Sequence, residues 1–548
     1  MPEGVRKLVS RKEIERKMEK SKFVEAMEKE VAWKETENGQ PALNTTFDAC
    51  LDLFSTIGSL RTRSDRDIEN KVAKAYAENK LVAMKTIFYA RDIEYGLGER
   101  RTFRIALHYL ANVYPEDVKL NIPNIATYGR FDDLYELVGT PLEKDAFEYL
   151  YSVFEEDCKN YKERKPISLL AKWLKSTNTS SPESKRLGKL TAKYFGFSDR
   201  IYRKLLSSMR RYLDVTEVKM SSNNWEAIDF NKVPGGAMKK YYNAFQNHQE
   251  ERFKEYISAL NSGSTITVDG KQVEAKINTK KLFPYEILEE YSKGRGVFSL
   301  DNKFEYNPTL EAMWNNLKDW IEDKSENTIV IADTSGSMYG RPMATSVGLG
   351  IYFAQHNKGA FHNKFMTFSS KPSWINLIEG APLVNQLACV PVIVDNTNLE
   401  AAFDLILNTA IENKLSQADM PKTLVIITDM EFDYCVVNNE YNRRAFSWEN
   451  YSCKDNQDRM TFYDTMKAKF ESHGYKLPEI VFWNTQARHD TYHTTATAPH
   501  VRMVSGQATS VFKSLIDGQT HTPYDFMLEV LNAPRYDLIK VAEFVEVE

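Results

Sequence analysis

At 548 residues the chain is too long for one hydrophobic core, and a 42% hydrophobic, 12% aromatic composition is enough to bury two or three sizeable ones. A formal net charge of −4 offers no global attraction to polyanions, so any nucleic-acid footprint must be local. Five scattered cysteines (Cys50, Cys158, Cys389, Cys435, Cys453) with no C-x-x-C pair exclude a disulfide framework. No apolar run approaches the roughly 20 residues of a membrane span, and the charged amino terminus is unlike a signal peptide, so the expectation is a soluble, cytoplasmic protein in a reducing compartment.

Residues 1–40 are dominated by Lys, Glu and Arg (RKEIERKMEKSKFVEAMEKEVAWKE), with apolar positions too sparse for a core; the pattern predicts a solvated helix or arm. From 41 to 300 the pattern becomes a succession of amphipathic helices. Helical spacing relates Leu51, Phe54 and Ile57, then Leu81, Met84, Ile87 and Phe88, then Phe103, Leu107 and Leu110, then Leu169, Trp173 and Leu174. Breakers at Tyr95-Gly96-Leu97-Gly98, Tyr114-Pro115, Tyr128-Gly129-Arg130 and Phe195-Gly196-Phe197 separate them. No exact period appears, yet helix pairs between short breakers predict an irregular, HEAT-like α-helical solenoid, whose units bury their apolar faces only by stacking. Val268-Asp269-Gly270-Lys271 marks a small β-hairpin near 264–278.

Charge within this region is uneven. Basic residues crowd between Tyr161 and Lys219, among them Lys172, Lys175, Arg200, Arg203, Lys204, Arg210 and Arg211, against few acids. Smaller knots are Arg100-Arg101 with Arg104, and Lys239-Lys240 after Pro234-Gly235-Gly236. Tyr194, Tyr202, Tyr212, Tyr241 and Tyr242 are interleaved. Cations for phosphates and π faces for bases are what single-stranded nucleic acid requires, so these twelve basic positions are the candidate nucleic-acid-binding set. Solvated helix faces and core tyrosines are the plainer alternative.

Residues 301–326 read as a connecting helix, with Met313, Trp314 and Leu317 apolar. From 327 to 548 strands alternate with helices, which predicts an α/β doubly wound, Rossmann-like parallel sheet. Its first strand runs into Asp333-Thr334-Ser335-Gly336-Ser337, whose alternate side chains are small oxygen donors at the edge where open α/β sheets bind ligands. Thr397 precedes a helical pattern and Asp429 follows the apolar run Leu424-Val425-Ile426-Ile427-Thr428. Together Asp333, Ser335, Ser337, Thr397 and Asp429 are candidate ligands of a hard divalent cation, Mg²⁺ first, with Mn²⁺ or Ca²⁺ open. The alternative is a turn whose Ser and Asp only cap the helix after Pro342.

Asp-x-Ser-x-Ser with a later Thr and Asp resembles the metal-ion-dependent adhesion site (MIDAS) of von Willebrand factor A domains. A helical array joined to such a domain is similar to the architecture of the Ro autoantigen family, whose helical module is the TROVE domain, and above all to Ro-like relatives in viruses, bacteria and plants. Gly96-Leu97-Gly98-Glu99-Arg100-Arg101, Val233-Pro234-Gly235-Gly236-Ala237-Met238 and Val504-Ser505-Gly506 carry the helical and carboxyl-terminal part of that resemblance. It implies helical repeats closing into a ring that passes single-stranded or misfolded RNA ends through a basic hole and holds structured small RNAs on its outside, so that the candidate nucleic-acid-binding set becomes an RNA-binding one. It also implies a metal-bearing domain that contacts a partner.

The expectation is therefore a monomeric, RNA-binding ribonucleoprotein component, not an enzyme and not bound to a membrane. A metal-dependent protein-interaction adaptor without RNA is the alternative, and a metal-dependent nuclease a lower one. Hydrolysis would need a base beside the metal-bound water, and His356 and His362, the histidines nearest in sequence, lie in no motif. Glu431 and Asp433 read as an exposed acidic turn, or as groups supporting the ligands. The excursion 433–458 has no assigned role.

Overall fold

In a computed structural model the chain is described over residues 22–268, 270–293, 297–321, 327–369, 371–392, 397–435, 460–517 and 522–542. The excursion is described only as far as residue 435, so its reading lies outside the described residues, as does the charged segment before residue 22. No helix among the described residues is long and apolar enough to cross a membrane.

The chain forms two compact units, each assembled from separated stretches. The first comprises Met1–Ala83, Phe283–Tyr306 and Asp319–Ala533, the second Met84–Leu282, Asn307–Lys318 and Pro534–Glu548. These units do not follow the expected division at 40, 300 and 326, since each draws on stretches from both sides of it. The helices Ala49–Phe54 and Asp65–Glu78 belong to the sheet unit, and Pro308–Asn315, expected in a connector, belongs to the helical unit. Docking explains the difference. Leu43 exchanges backbone hydrogen bonds with Tyr492, and a Cβ on Gly58 would stand 2.7 Å from the Gly506 Cα. Contacts between residues so far apart in sequence leave no local periodicity.

The sheet unit is built on six strands: β1 (Thr328–Asp333), β2 (Lys364–Phe368), β3 (Ser373–Asn376), β4 (Thr423–Thr428), β5 (Glu479–Asn484) and β6 (Val501–Ser505). Their order is β6-β5-β4-β1-β2-β3, parallel except for the antiparallel edge strand β3, so the sheet is mixed. β1 and β4 are unbroken runs of apolar, β-branched residues because both faces of a central parallel strand are covered. On one face lies the helix Arg341–His356, almost wholly buried; Gly350 lets it approach, since a Cβ there would meet the Phe365 ring at 3.0 Å. On the other, Leu399, Phe403, Leu407, Phe462, Met466 and Phe470 pack against Ile329, Ile331, Ile426 and Phe482. The chain runs outward from β1 to β3 and then returns to β4 on the opposite side. The strand order thus reverses between β1 and β4, and the carboxyl ends of those two strands flank the crevice where doubly wound sheets take ligands.

The helical unit is an array of short amphipathic helices with the expected hairpin, Thr265–Val268 paired with Lys271–Glu274. Arg101–Val113 buries Phe103, Ala106, Leu107, Leu110 and Ala111, the stripe its spacing predicts. Ser181 and Ser198 begin the helices Pro182–Tyr194 and Asp199–Tyr212, each accepting a backbone N–H of the first turn. Inside, Arg91 and Asp133 make a fully buried ion pair at 2.8 Å, 1% and 0% exposed. The carboxyl-terminal segment joins this unit through Arg535 and Tyr536, which both donate to Asp92.

Candidate metal site and basic helical face

Both carboxylates of the predicted site stand at the β1/β4 crevice. Asp333, the last residue of β1, is fully buried; its Oδ1 accepts the Ser335 N–H at 2.9 Å and its Oδ2 the Thr428 hydroxyl at 2.7 Å. The first bond folds the chain back at once, which is how an Asx turn ends a strand. It brings the Ser335 and Ser337 hydroxyls within 3.1 Å of each other. Thr334 fastens the loop sideways by donating N–H and hydroxyl to the Phe368 carbonyl at the end of β2. Buried Thr397 lies beside that same end, where the next residue's N–H donates to the Ser369 carbonyl.

Asp429, directly after β4 and 1% exposed, accepts from the Glu431 N–H and from Arg488 Nη2 at 2.8 Å. Arg488 also pairs with Glu37 at 2.9 Å. Sequence reading missed Arg488, which lies 59 residues from Asp429 in no motif. Glu431 is a buried carboxylate and no exposed turn: it accepts from the Glu37 N–H and the Thr491 hydroxyl, each at 2.8 Å. Burial, followed by the Asp429 carboxylate, pushes the Asp333 carboxyl up to about 7, against the bonds from Ser335 and Thr428.

The backbone behind Asp429 is strained. Met430 has φ +74, a left-handed conformation costing a side-chain-bearing residue about 1–2 kcal/mol. His493 holds it there, donating Nε2–H to the Met430 carbonyl at 2.8 Å and stacking on Phe432 with ring centres 4.3 Å apart. Burial pushes the His493 imidazole down to about 4 from 6.5, so it is neutral at physiological pH. A histidine lowered in this way contributes stability that is complete above pH 6.5 and lost as the pH falls toward 4, about 3 kcal/mol in all at 1.36 kcal/mol per unit. Asp333 titrates with the opposite sign, so the expected signal is a difference. Denaturation midpoints of wild type and His493→Gln between pH 7.5 and 5 should diverge, the wild type losing more; parallel curves would refute the assignment.

The donor set is oxygen only, the ligand type hard divalent cations take. His356 Nδ1 bonds the Tyr352 carbonyl, and His362 bonds the Asn357 carbonyl and the Glu379 carboxylate, so each has a structural partner. A second gathering, Asp48, Cys50 and Glu78, brings ligand-type atoms within 4.8 Å. Its members are otherwise engaged: Asp48 and Glu78 accept N–H groups of the helix Ala49–Phe54, the Cys50 thiol donates to the Ala75 carbonyl, and burial holds that thiol far above its usual pKa.

The predicted basic set divides. Arg210 donates to the Ala171 and Leu174 carbonyls and to the Ser176 hydroxyl; Arg104 meets Asp132, Asp133 and Glu136; Lys175 lies 3.7 Å from Asp132. These bonds tie Arg104, Arg210 and Lys175 into the helical unit. Lys172 lies over Trp173, half-buried Lys239 has an internal partner, and Arg100, Arg101 and Lys240 are exposed. Arg200, Arg203, Lys204 and Arg211 are exposed on the helix Asp199–Tyr212. At 100° per residue these four fall on one stripe, opposite buried Tyr202, Leu206 and Met209. Tyr202 and Tyr242 are core side chains, whereas Tyr194 and Tyr212 are exposed.

Residues 36–168 and 166–326 match the domain of unknown function DUF2828, and residues 327–531 the domain of unknown function DUF7788. An uncharacterized protein of Acanthamoeba polyphaga mimivirus is 28% identical over 533 residues, covering 90% of this chain and 86% of the viral protein.

Proposed function

We propose a function for this chain from one premise: it belongs to the DUF2828 family, whose match spans more than half of its length. It is an RNA-binding ribonucleoprotein component. The helical unit is a TROVE-like module that holds single-stranded RNA, and the sheet unit is a von Willebrand factor A-like domain that holds a divalent cation and contacts a partner through it. A viral relative spanning both units fits the Ro-like resemblance.

One observation carries the RNA reading. The stripe Arg200, Arg203, Lys204 and Arg211 presents four exposed cations, and none has a carboxylate partner among the described residues. A surface of that kind attracts phosphates by releasing their counterions, and so binds in a salt-dependent way. Exposed Tyr212 at the end of the same helix offers an aromatic face for a base.

For the cation, the support is the chemistry of the donors. Asp333, Ser335, Ser337, Thr397 and Asp429 would hold it, and the Asp333 carboxyl, buried beside a second carboxylate, is the group that a positive charge most relieves. When bound, Mg²⁺, or Mn²⁺ or Ca²⁺, supplies an open position for a carboxylate or phosphate oxygen of the partner. The adaptor without RNA is the second reading, favoured by the internal bonds of Arg104, Lys175 and Arg210.

Filter binding of a single-stranded oligonucleotide at a series of salt concentrations tests the RNA reading. Replacing Arg200, Arg203, Lys204 and Arg211 by Glu should weaken binding at least about tenfold and flatten the slope of log K against log salt by up to about 3. Unchanged affinity and slope would leave the adaptor.

A further inference from the structure

Around the turn Tyr128-Gly129-Arg130 of the helical unit, cations collect beside acids that already serve other cations. Arg91 donates through Nε to Asp133 Oδ2 at 2.8 Å, but its buried Nη2 meets no acceptor among the described residues. The Arg130 N–H donates to the same carboxylate oxygen at 3.0 Å, which fixes the two residues side by side. Gly129 permits the approach: a Cβ there would stand 2.5 Å from Asp133 Oδ2 and 2.8 Å from Arg91 Nε. The Arg130 guanidinium lies 4.5 Å from the centre of the Trp173 ring.

The acids nearby are already taken. Asp133 serves Arg91 and Arg104, while Asp132 serves Arg104 and Lys175. Among the described residues no carboxylate pairs with the Arg130 or Arg100 guanidinium or with the Lys281 ammonium. Burial, and then the charges of Arg91 and Arg100, hold Arg130 below its usual range against the pull of Asp132. Exposed Lys281 is likewise lowered, by partial desolvation and the charges of Arg130 and Arg91, against the pull of Glu94, a carboxylate that already pairs with Arg535 at 3.3 Å. Like charges gathered in this way repel one another unless an anion joins them.

We propose that Arg91, Arg100, Arg130 and Lys281 form a binding site for a phosphate group. A tetrahedral dianion offers acceptors in several directions, which suits guanidinium forks arriving from two turns and a lysine from a third. Trp173 already stacks with Arg130, so recognition is through charge and not through a base. The phosphate belongs either to a free phosphorylated small molecule or to an RNA strand end. The site is separate from the helix Asp199–Tyr212, and its failure would leave the RNA reading of that helix standing.

The test uses the full chain and calorimetry at constant ionic strength, with inorganic phosphate, then a 5′-phosphorylated oligonucleotide, then its 5′-hydroxyl twin. Wild type should bind phosphate, and Lys281→Gln and Arg100→Gln should each weaken binding about tenfold, the loss of one charge-assisted hydrogen bond. Arg100 is exposed, so its replacement leaves the fold intact, and the double variant should bind no phosphate. Preference for the phosphorylated over the hydroxyl-ended strand, lost in the same variants, would identify a strand end as the source. Equal binding to both strands beside variant-sensitive phosphate binding would identify a small molecule. No phosphate binding by wild type, or binding that the double variant retains, would overturn the proposal.

Discussion

Millimolar Mg²⁺ is expected to raise the unfolding midpoint of the wild-type chain and to leave that of Asp333→Asn unmoved. A ligand at one hundred times its dissociation constant stabilises the folded state by about 2.7 kcal/mol, which a denaturant titration resolves easily. The variant also carries a sign that a merely damaging substitution would not show. In chelator, Asp333 is a buried carboxyl beside Asp429, raised from 3.8 to about 7. A carboxyl raised in this way withdraws stability as the pH climbs from its unfolded toward its folded value, on the order of a few kcal/mol at neutral pH. Asparagine removes the charge while its oxygen still accepts the Ser335 N–H. At pH 7.5, then, Asp333→Asn should be the more stable chain in chelator and the less responsive one in metal. A wild type indifferent to Mg²⁺, Mn²⁺ and Ca²⁺ would end the cation reading.

Arg91→Ala should be among the most destabilising single substitutions in the helical unit, at about 3–5 kcal/mol. It leaves Asp133, which is 0% exposed, with the Arg104 guanidinium as its remaining cation beside the Arg130 N–H, and opens a void beside Gly129. Replacing both partners together, as Arg91→Met with Asp133→Leu, should recover much of the loss, because the pair's desolvation cost disappears with its attraction. Hydrogen exchange over residues 84–282 gives the local readout. Equal protection in wild type and Arg91→Ala would show that the ion pair contributes little.

Where the sequence was informative, a local pattern had one physical cause. Ile329 to Ala332 and Leu424 to Ile427 read as strands because a central parallel strand is covered on both faces, and Asp333 and Asp429 could be placed because each ends such a run. Gly270, at φ +75, marked the hairpin for the same local reason. Long-range partners were not legible. Charge counts place Arg104 and Arg210 among basic neighbours but do not reveal that Asp133 and the Leu174 carbonyl receive them. Glu431 read as exposed because its partners, Glu37 and Thr491, lie hundreds and tens of residues away. Arg488, unmarked by any motif, became visible only through its bond to Asp429.

The interleaving of the two units governs how the molecule can be made and cut. The helices Ala49–Phe54 and Asp65–Glu78 leave the ribosome long before β5 and β6 exist, so during synthesis their apolar sides await a seat more than 400 residues downstream. A fragment starting at residue 327 would bare the seat of Gly58 at Gly506 and the backbone that Leu43 pairs with at Tyr492, and one ending at 326 would lack Arg535, which binds Asp92. Dissection at the boundary that the hydropathy pattern suggests therefore yields two incomplete bodies, whereas coexpressed halves, each supplying what the other lacks, have the surfaces needed to reassemble.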